Sequence, residues 1–192
     1  MLSISNADSD VGERILAAAA SCVRDYGIDR VTLAEIARRA RVSRPTIYRR
    51  WPDSDAILAA LLTRRIAEVA AEVPKRGADR AAIVGRIVAV SQRLRDDELL
   101  MAVMHSAPEF AMTYITERLG TSQQRLIDAL ATDLMAAQAH GSVRAGDPRQ
   151  LATMIVLITQ STIQSAQIVE PILAADALAV ELCHALNGYL QP

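Results

Sequence analysis

The chain has 192 residues, a net charge of −1 and an apolar half that includes only one Trp, four Tyr and one Phe. A core drawn from Ala, Leu, Ile and Val favours helices over strands, and no apolar run reaches the roughly 20 residues of a membrane span. The opening MLSISNADSD has neither the basic nor the apolar region of a signal peptide. The expected location is therefore the cytoplasm, where Cys22 and Cys183 stay reduced and serve as small apolar groups.

The predicted elements are all helices. The first runs from about Asp10 to Tyr26, with Asp10 and Glu13 as a capping box and Ile15, Ala19, Cys22, Val23 and Tyr26 as the apolar stripe; Gly27 ends it. Thr32 and Glu35 form a second capping box, which opens a helix with Leu33, Ile36, Ala37 and Ala40 on its apolar face. At about eight residues that helix requires neighbours, because nucleation is costly. After a turn at Arg41-Val42, Ser43 is an N-cap and Pro45 falls in the first turn of a third helix, from Arg44 to about Trp51. Pro52 stops it, since the residue before a proline avoids the helical region. Asp53 then caps a long fourth helix whose buried side is Ile57, Leu58, Leu61, Leu62, Ile66 and Val69, closed by Pro74 and Gly77. Further helical patterns cover about 79–95, 97–105, 109–119, 121–140, 148–168 and 172–190, with Asp147-Pro148 as a start signal.

The charge is unevenly placed. Residues 1–51 hold nine Arg against six acids, whereas residues 52–192 hold twelve basic residues against sixteen acids. From Arg30 to Trp51 there are seven Arg and one carboxylate, Glu35. A solvated helix face interleaves both signs, so a one-signed segment on an acidic protein points to a polyanion. For Arg38 and Arg39 taken singly, a simple water-facing position on the second helix is an equal reading.

Two short helices joined by a tight turn make a helix-turn-helix. In the third helix Ile47 and Trp51 lie four apart on one face and anchor it to the bundle. Arg44, Pro45 and Tyr48 then point outward, flanked by Thr46 and Arg49. This set offers an arginine for guanine edges, a threonine for a thymine methyl or a phosphate, and a tyrosine hydroxyl for a phosphate. The second helix, opening at Thr32, turns free N–H groups and a positive dipole end toward a phosphate.

The pattern V-T-L-A-E-I-A-x-x-A-x-V-S-x-x-T-I-Y-x-x-W-P-x-x-x-x-I-L resembles the TetR family of bacterial transcriptional regulators over roughly Asp10 to Ala70. The resemblance implies an all-α fold with a helix-turn-helix DNA-binding head at 10–70 and a helical effector-binding and dimerisation domain at 78–192. Carried over by position, it implies DNA contacts from Thr32, Arg44, Pro45, Thr46, Tyr48 and Arg49, with the Ser43 cap among them. Two positions depart from the family pattern: the fourth helix starts with Ser54, between Asp53 and Asp55, where a phosphate-binding Lys is common, and Val23 of the first helix stands where Phe is common, a repacked core.

Nothing in the sequence reads as an enzyme. His105, His140 and His184 are far apart and lack companions at metal-ligand spacing. There is no G-x-S-x-G, phosphate loop or dinucleotide fingerprint, and no cofactor or metal is expected. Asp96-Asp97-Glu98 reads as charge at a helix start.

In the second domain, QLATMIVLITQSTIQSAQIV is apolar nearly all round, which a surface helix is not. Leu151, Met154, Ile155, Ile158 and Thr162 form one candidate dimer stripe and Leu178, Leu182, Ala185, Leu186 and Tyr189 another, their alternative use being the subunit's own core. Met101, Met104, His105, Phe110, Tyr114 and Met135 are candidates for an effector pocket, with ordinary core as the alternative. The function expected is a ligand-responsive repressor that binds a palindromic double-stranded DNA operator as a homodimer, answers to a small molecule of unknown identity and has no membrane partner. The alternatives are an activator, or a small-molecule-binding helical protein whose DNA reading is weakened or lost.

Overall fold

Short polar side chains set where the helices begin. In the computed structural model, which describes the backbone of residues 3–106 and 121–192 and the side chains of 10–28, 30–103 and 123–192, the described residues form helices and no strand. Helix α1 is Ser3–Tyr26, α2 Leu33–Ala40, α3 Arg44–Tyr48, α4 Ser54–Glu72, α5 Arg80–Arg95, α6 Glu98–Ser106, α7 Thr121–Ala139, α8 Pro148–Val169 and α9 Ala175–Leu190. The predicted helix at 109–119 lies outside the described residues.

Four predicted caps form, at Thr32, Ser43, Asp53 and Asp147, and Asp79, not singled out in the sequence, makes a fifth. Thr32 accepts from the Glu35 N–H, Ser43 from Thr46, Asp79 from Ala82 and Asp147 from Gln150, while Asp53 accepts from the Ala56 N–H at 2.7 Å. Each satisfies one of the N–H groups that a helix start leaves without an intrahelical partner. Asp97 does the same for α6, accepting from the Leu100 N–H at 2.9 Å, so the acidic triplet there is a helix start. Two expectations need correction. Helix α1 begins at Ser3, which puts Asp10 and Glu13 inside the helix rather than in a capping box; Asp10 pairs with Arg14 one turn on, and Glu13 accepts from Arg64 of α4 at 2.7 Å. Helix α3 ends at Tyr48, short of Trp51. With Pro52 holding Trp51 out of the helical region, the chain closes in a tighter turn, in which the Arg50 N–H donates to the Ile47 carbonyl at 2.8 Å.

By contact, the described residues up to 65 and from 97 to 106 form one compact unit, and those from 66 to 96 and 121 to 192 form another. Helix α6 thus groups with the head, although it falls within the stretch 78–192 that the sequence pattern assigns to the second domain. In the first unit α2 packs on α1, and α6 packs on α1 and on the 3-10 turn Ile28–Arg30. The buried residues of this unit include Ile15, Ala19, Cys22, Ile36, Ile47, Ile57, Leu61 and Leu62. Both cysteines are free, Cys22 buried and Cys183 partly so.

In the second unit α5, α7, α8 and α9 surround one apolar core that includes Ile83, Val84, Ile127, Leu134, Leu151, Ile155, Leu182, Leu186 and Leu190. Polar clamps tie its ends. Arg86 of α5 donates to the Ala70 and Val73 carbonyls at 2.7 and 3.0 Å, supplying the donors that the end of α4 lacks. The Gln138 amide donates to the Arg144 and Gly146 carbonyls, and the Arg144 guanidinium donates to the Tyr189 carbonyl at 2.7 Å while stacking on the Tyr189 ring. Together these hold the connection between α7 and α8 against the end of α9.

Candidate nucleic-acid interface

The reading helix is short, so its direction depends on what anchors it. Ile47 is fully buried, and Trp51 is partly buried, with its ring edge about 4.0 Å from where a Cβ on Gly12 of α1 would sit. These two set the inner face of α3. Arg44, Pro45, Tyr48 and Arg49 are exposed on the outer side, Tyr48 by 57 %, and Thr46 is half-exposed. The Thr46 hydroxyl lies 2.8 Å from the Ser43 hydroxyl, so the cap and the first turn are joined by side chains as well as by backbone. Thr32 is exposed at the start of α2. The sequence-predicted contact residues are thus all at least partly open to solvent, at the start of α2, at the Ser43 cap and on the outer side of α3.

The arginines divide into two groups. Arg38 holds Glu35 in a two-pronged pair at 2.6 and 2.8 Å. Arg39, largely covered, donates to Glu35 at 2.9 Å, to Ser21 at 2.6 Å and to Asp25, and its guanidinium stacks over Tyr26. Hydrogen bonds from Arg38 and Arg39 lower the Glu35 carboxyl from its ordinary 4.5 to about 2; that of Asp25 is lowered chiefly by Arg39. The same contacts raise both guanidinium pKa values, through Glu35 for Arg38 and through Asp25 and Glu35 for Arg39. Burial pushes the Cys22 thiol beneath this cluster upward. Arg39 and its partners are thus a staple fixing α2 on α1. By contrast, Arg44 and Arg49 have no hydrogen-bond or ion-pair partner among the described residues. Free cations on a rigidly anchored helix can bind an anion without first breaking an internal bond.

The candidates in the second half of the chain are distributed differently. Leu151, Ile155, Leu182 and Leu186 lie inside the apolar core of their own unit, which removes them from any surface a partner could cover. Ile158 and Tyr189 pack against that core half-buried, and Thr162 and Leu178 line a narrow crevice with Ser91, Gln92 and Arg95. Met154 and Ala185 are exposed. The outward apolar residues of α8 and α9 include Met154 at 42 %, Leu157 at 48 %, Ile168 at 81 % and Val180 at 53 % exposure. Apolar periodicity missed Val180 on α9, and it missed Leu157 and Ile168 because α8 is apolar on most of its circumference, so spacing alone does not say which stripe faces the core. Of the pocket candidates, Met101 is half-buried on α6, and Met135 is 59 % exposed on α7, next in the chain to the core residue Leu134. The side chains of Met104 and His105, and all of Phe110 and Tyr114, lie outside the described residues. Among the described residues, no group of His, Cys, Asp and Glu is arranged to hold a metal, and no helix is long and apolar enough to cross a membrane.

A capped helix pair, a tight turn and an outward row of arginine and tyrosine without partners among the described residues define a helix-turn-helix DNA-binding protein. Residues 15–61 match the model of the bacterial regulatory proteins of the tetR family. An HTH-type transcriptional regulator of Mycobacterium tuberculosis is 67% identical over 190 residues, covering 99% of this chain and 100% of that protein. The HTH-type regulator AqdR of Rhodococcus erythropolis is 45% identical over 58 residues, 30% of this chain and 28% of its own. Among solved structures, the transcriptional repressor QsdR of R. erythropolis has a TM-score of 0.72 at 19% identity, covering 95% of this chain and 96% of its own. RolR in complex with resorcinol has a TM-score of 0.70 at 18% identity, over 97% and 90%. The chain belongs to the tetR family of bacterial regulatory proteins.

Proposed function

We propose that this regulator is a cytoplasmic, homodimeric repressor that reads a palindromic operator and is released by a small molecule. The observation that carries the reading is the outward set Arg44, Tyr48 and Arg49, without partners among the described residues, on a helix and its C-cap whose inner face is fixed by Ile47. Arg44 reads a base edge, Tyr48 and Arg49 hold phosphates, and the α2 start at Thr32, with the Ser43–Thr46 pair, sets the register on the backbone. Two such helices related by a twofold axis enter major grooves about 34–36 Å apart.

The dimer forms through the outer faces of α8 and α9, where Met154, Leu157, Ile168 and Val180 present apolar surface to solvent. An effector acts by binding one conformation more tightly than the other. That RolR is solved with resorcinol and a FadR of Bacillus subtilis with stearoyl-CoA supports a ligand-responsive reading. Met101, Met104, His105, Phe110 and Tyr114 remain the proposed effector contacts. Acidic residues around Ser54 do not argue for lost DNA reading, since Asp53 is engaged in starting α4.

The test is binding to the DNA upstream of the protein's own coding sequence, alongside Arg44→Ala and Tyr48→Ala, with oligomeric state measured by light scattering for Leu157→Glu and Val180→Glu. The reading expects salt-dependent preference for a palindrome and dissociation of the dimer by either glutamate. Salt-insensitive binding, or no preference for a palindrome, contradicts operator recognition.

A further inference from the structure

The turn between α2 and α3 contains a residue that the fold alone does not call for. Arg41 sits at φ 53, ψ 46, the left-handed conformation, and is the one non-glycine residue with positive φ among the described residues. Its backbone is well used. The Arg41 N–H donates to the Arg38 carbonyl at 3.3 Å and the Val42 N–H to the Ala37 carbonyl at 3.1 Å, the bonds by which a helix C-terminus is closed. Glycine performs that closure without the crowding of a Cβ against the backbone, and asparagine is the usual second choice. An arginine there is a conformational cost to the turn.

The side chain brings the turn nothing in return. Arg41 is exposed and has no hydrogen-bond, ion-pair or ring partner among the described residues. Arg38 and Arg39, only three and two positions earlier, are both tied to carboxylates. Arg41 also adds positive charge to a neighbourhood already positive, three residues before the unpaired Arg44 and two before the exposed cap Ser43. In water alone, such like charges repel one another weakly; beside a polyanion they act together.

We infer that Arg41 is a DNA phosphate contact, extending the interface of the reading helix back onto the turn that precedes it. The contact carries no sequence information. It adds affinity on any duplex and helps set how α3 lies in the groove. The inference rests on the DNA-binding reading and deepens it.

The distinguishing property is that folding and binding pull in opposite directions at this position. The experiment uses the full chain with Arg41→Gly and Arg41→Lys, titrated from about 50 to 200 mM salt against two duplexes. One carries the DNA upstream of the protein's own coding sequence, the other is of random sequence. Arg41→Gly is expected to raise the melting temperature by about 2 °C through relief of the backbone. It is also expected to bind both duplexes several-fold more weakly, with the log–log salt slope shallower by about 0.9, one phosphate's share. Arg41→Lys keeps the slope. An Arg41→Gly protein with the wild-type slope overturns the Arg41 contact and leaves the DNA-binding reading standing. A shallower slope with a lower melting temperature also overturns it, because the loss then comes from a damaged turn. If the wild-type chain shows no salt-dependent binding to either duplex, both readings fall.

Discussion

The two short helices of the head use the same side chain for opposite purposes. On α2, Arg38 and Arg39 are closed off by Glu35, Asp25 and Ser21, and one guanidinium is stacked on Tyr26. On α3 and at its C-cap, Arg44 and Arg49 are exposed and unpaired among the described residues. The difference lies in the supply of carboxylates. Glu35 stands three and four residues before Arg38 and Arg39, the spacing at which side chains on one helix meet, and α1 contributes Asp25 from across the packing interface. Helix α3 contains no acid at all. The lesson is that a run of arginine is not one electrostatic object: the local carboxylates sort it into cations that hold the fold and cations left for a partner.

The largest way to break this contrast is to remove what holds α3 in place. Ile47→Ala deletes a fully buried side chain and is expected to cost about 2–5 kcal/mol of stability, measured by denaturant titration, with DNA binding lost at temperatures where the variant head is unfolded. A smaller and more selective change is Arg44→Ala. It leaves the melting temperature within about 1 °C, since an exposed side chain without partners contributes little to folding, and costs about 1–3 kcal/mol of operator binding with relaxed preference at one base position. Competition binding against singly substituted operators reads that position.

The smallest effect sharpens the other side of the contrast. Because Arg38 and Arg39 hold the Glu35 carboxyl at about 2 instead of its ordinary 4.5, the charged form is favoured in the folded head. Its contribution to stability is fully present above about pH 4.5 and is lost as the pH falls through about 2. Thermal melts of wild type and Glu35→Gln from pH 6 downward should therefore differ most above that window and converge below it. A difference that stays constant across the window contradicts the assigned pairing.

How much of this was legible beforehand depends on how local the deciding contacts are. The caps at Thr32, Ser43, Asp53 and Asp147 each involve an N–H three residues away, so residue type and spacing suffice to place them. The α1 start misled for the same reason: Asp10 and Glu13 have the spacing of a capping box, but an upstream extension of the helix uses them as ordinary surface partners of Arg14 and Arg64. The inward turn of Ile47 and the outward turn of Arg44, Pro45 and Tyr48 followed from period alone. The pairing of Arg39 with Asp25 did not, because it joins residues far apart in the chain. In the second unit, α8 has apolar residues in nearly every direction, so Leu151 and Ile155 were indistinguishable in sequence from Met154 and Leu157; only the packing of α5, α7 and α9 around it shows which are buried. The left-handed backbone at Arg41 had no signal, since arginine is not a residue type associated with that conformation.

The most direct test of the central claim compares one arginine from each helix in a single assay. Duplex DNA binding is measured against salt concentration for wild type, Arg49→Ala and Arg38→Ala. Arg49→Ala is predicted to make the log–log slope shallower by about 0.9, and Arg38→Ala to leave the slope unchanged, since its charge is already matched by Glu35. Equal slopes for the two variants, or the larger loss from Arg38→Ala, would contradict the division of the arginines into those that hold the head and those that meet DNA.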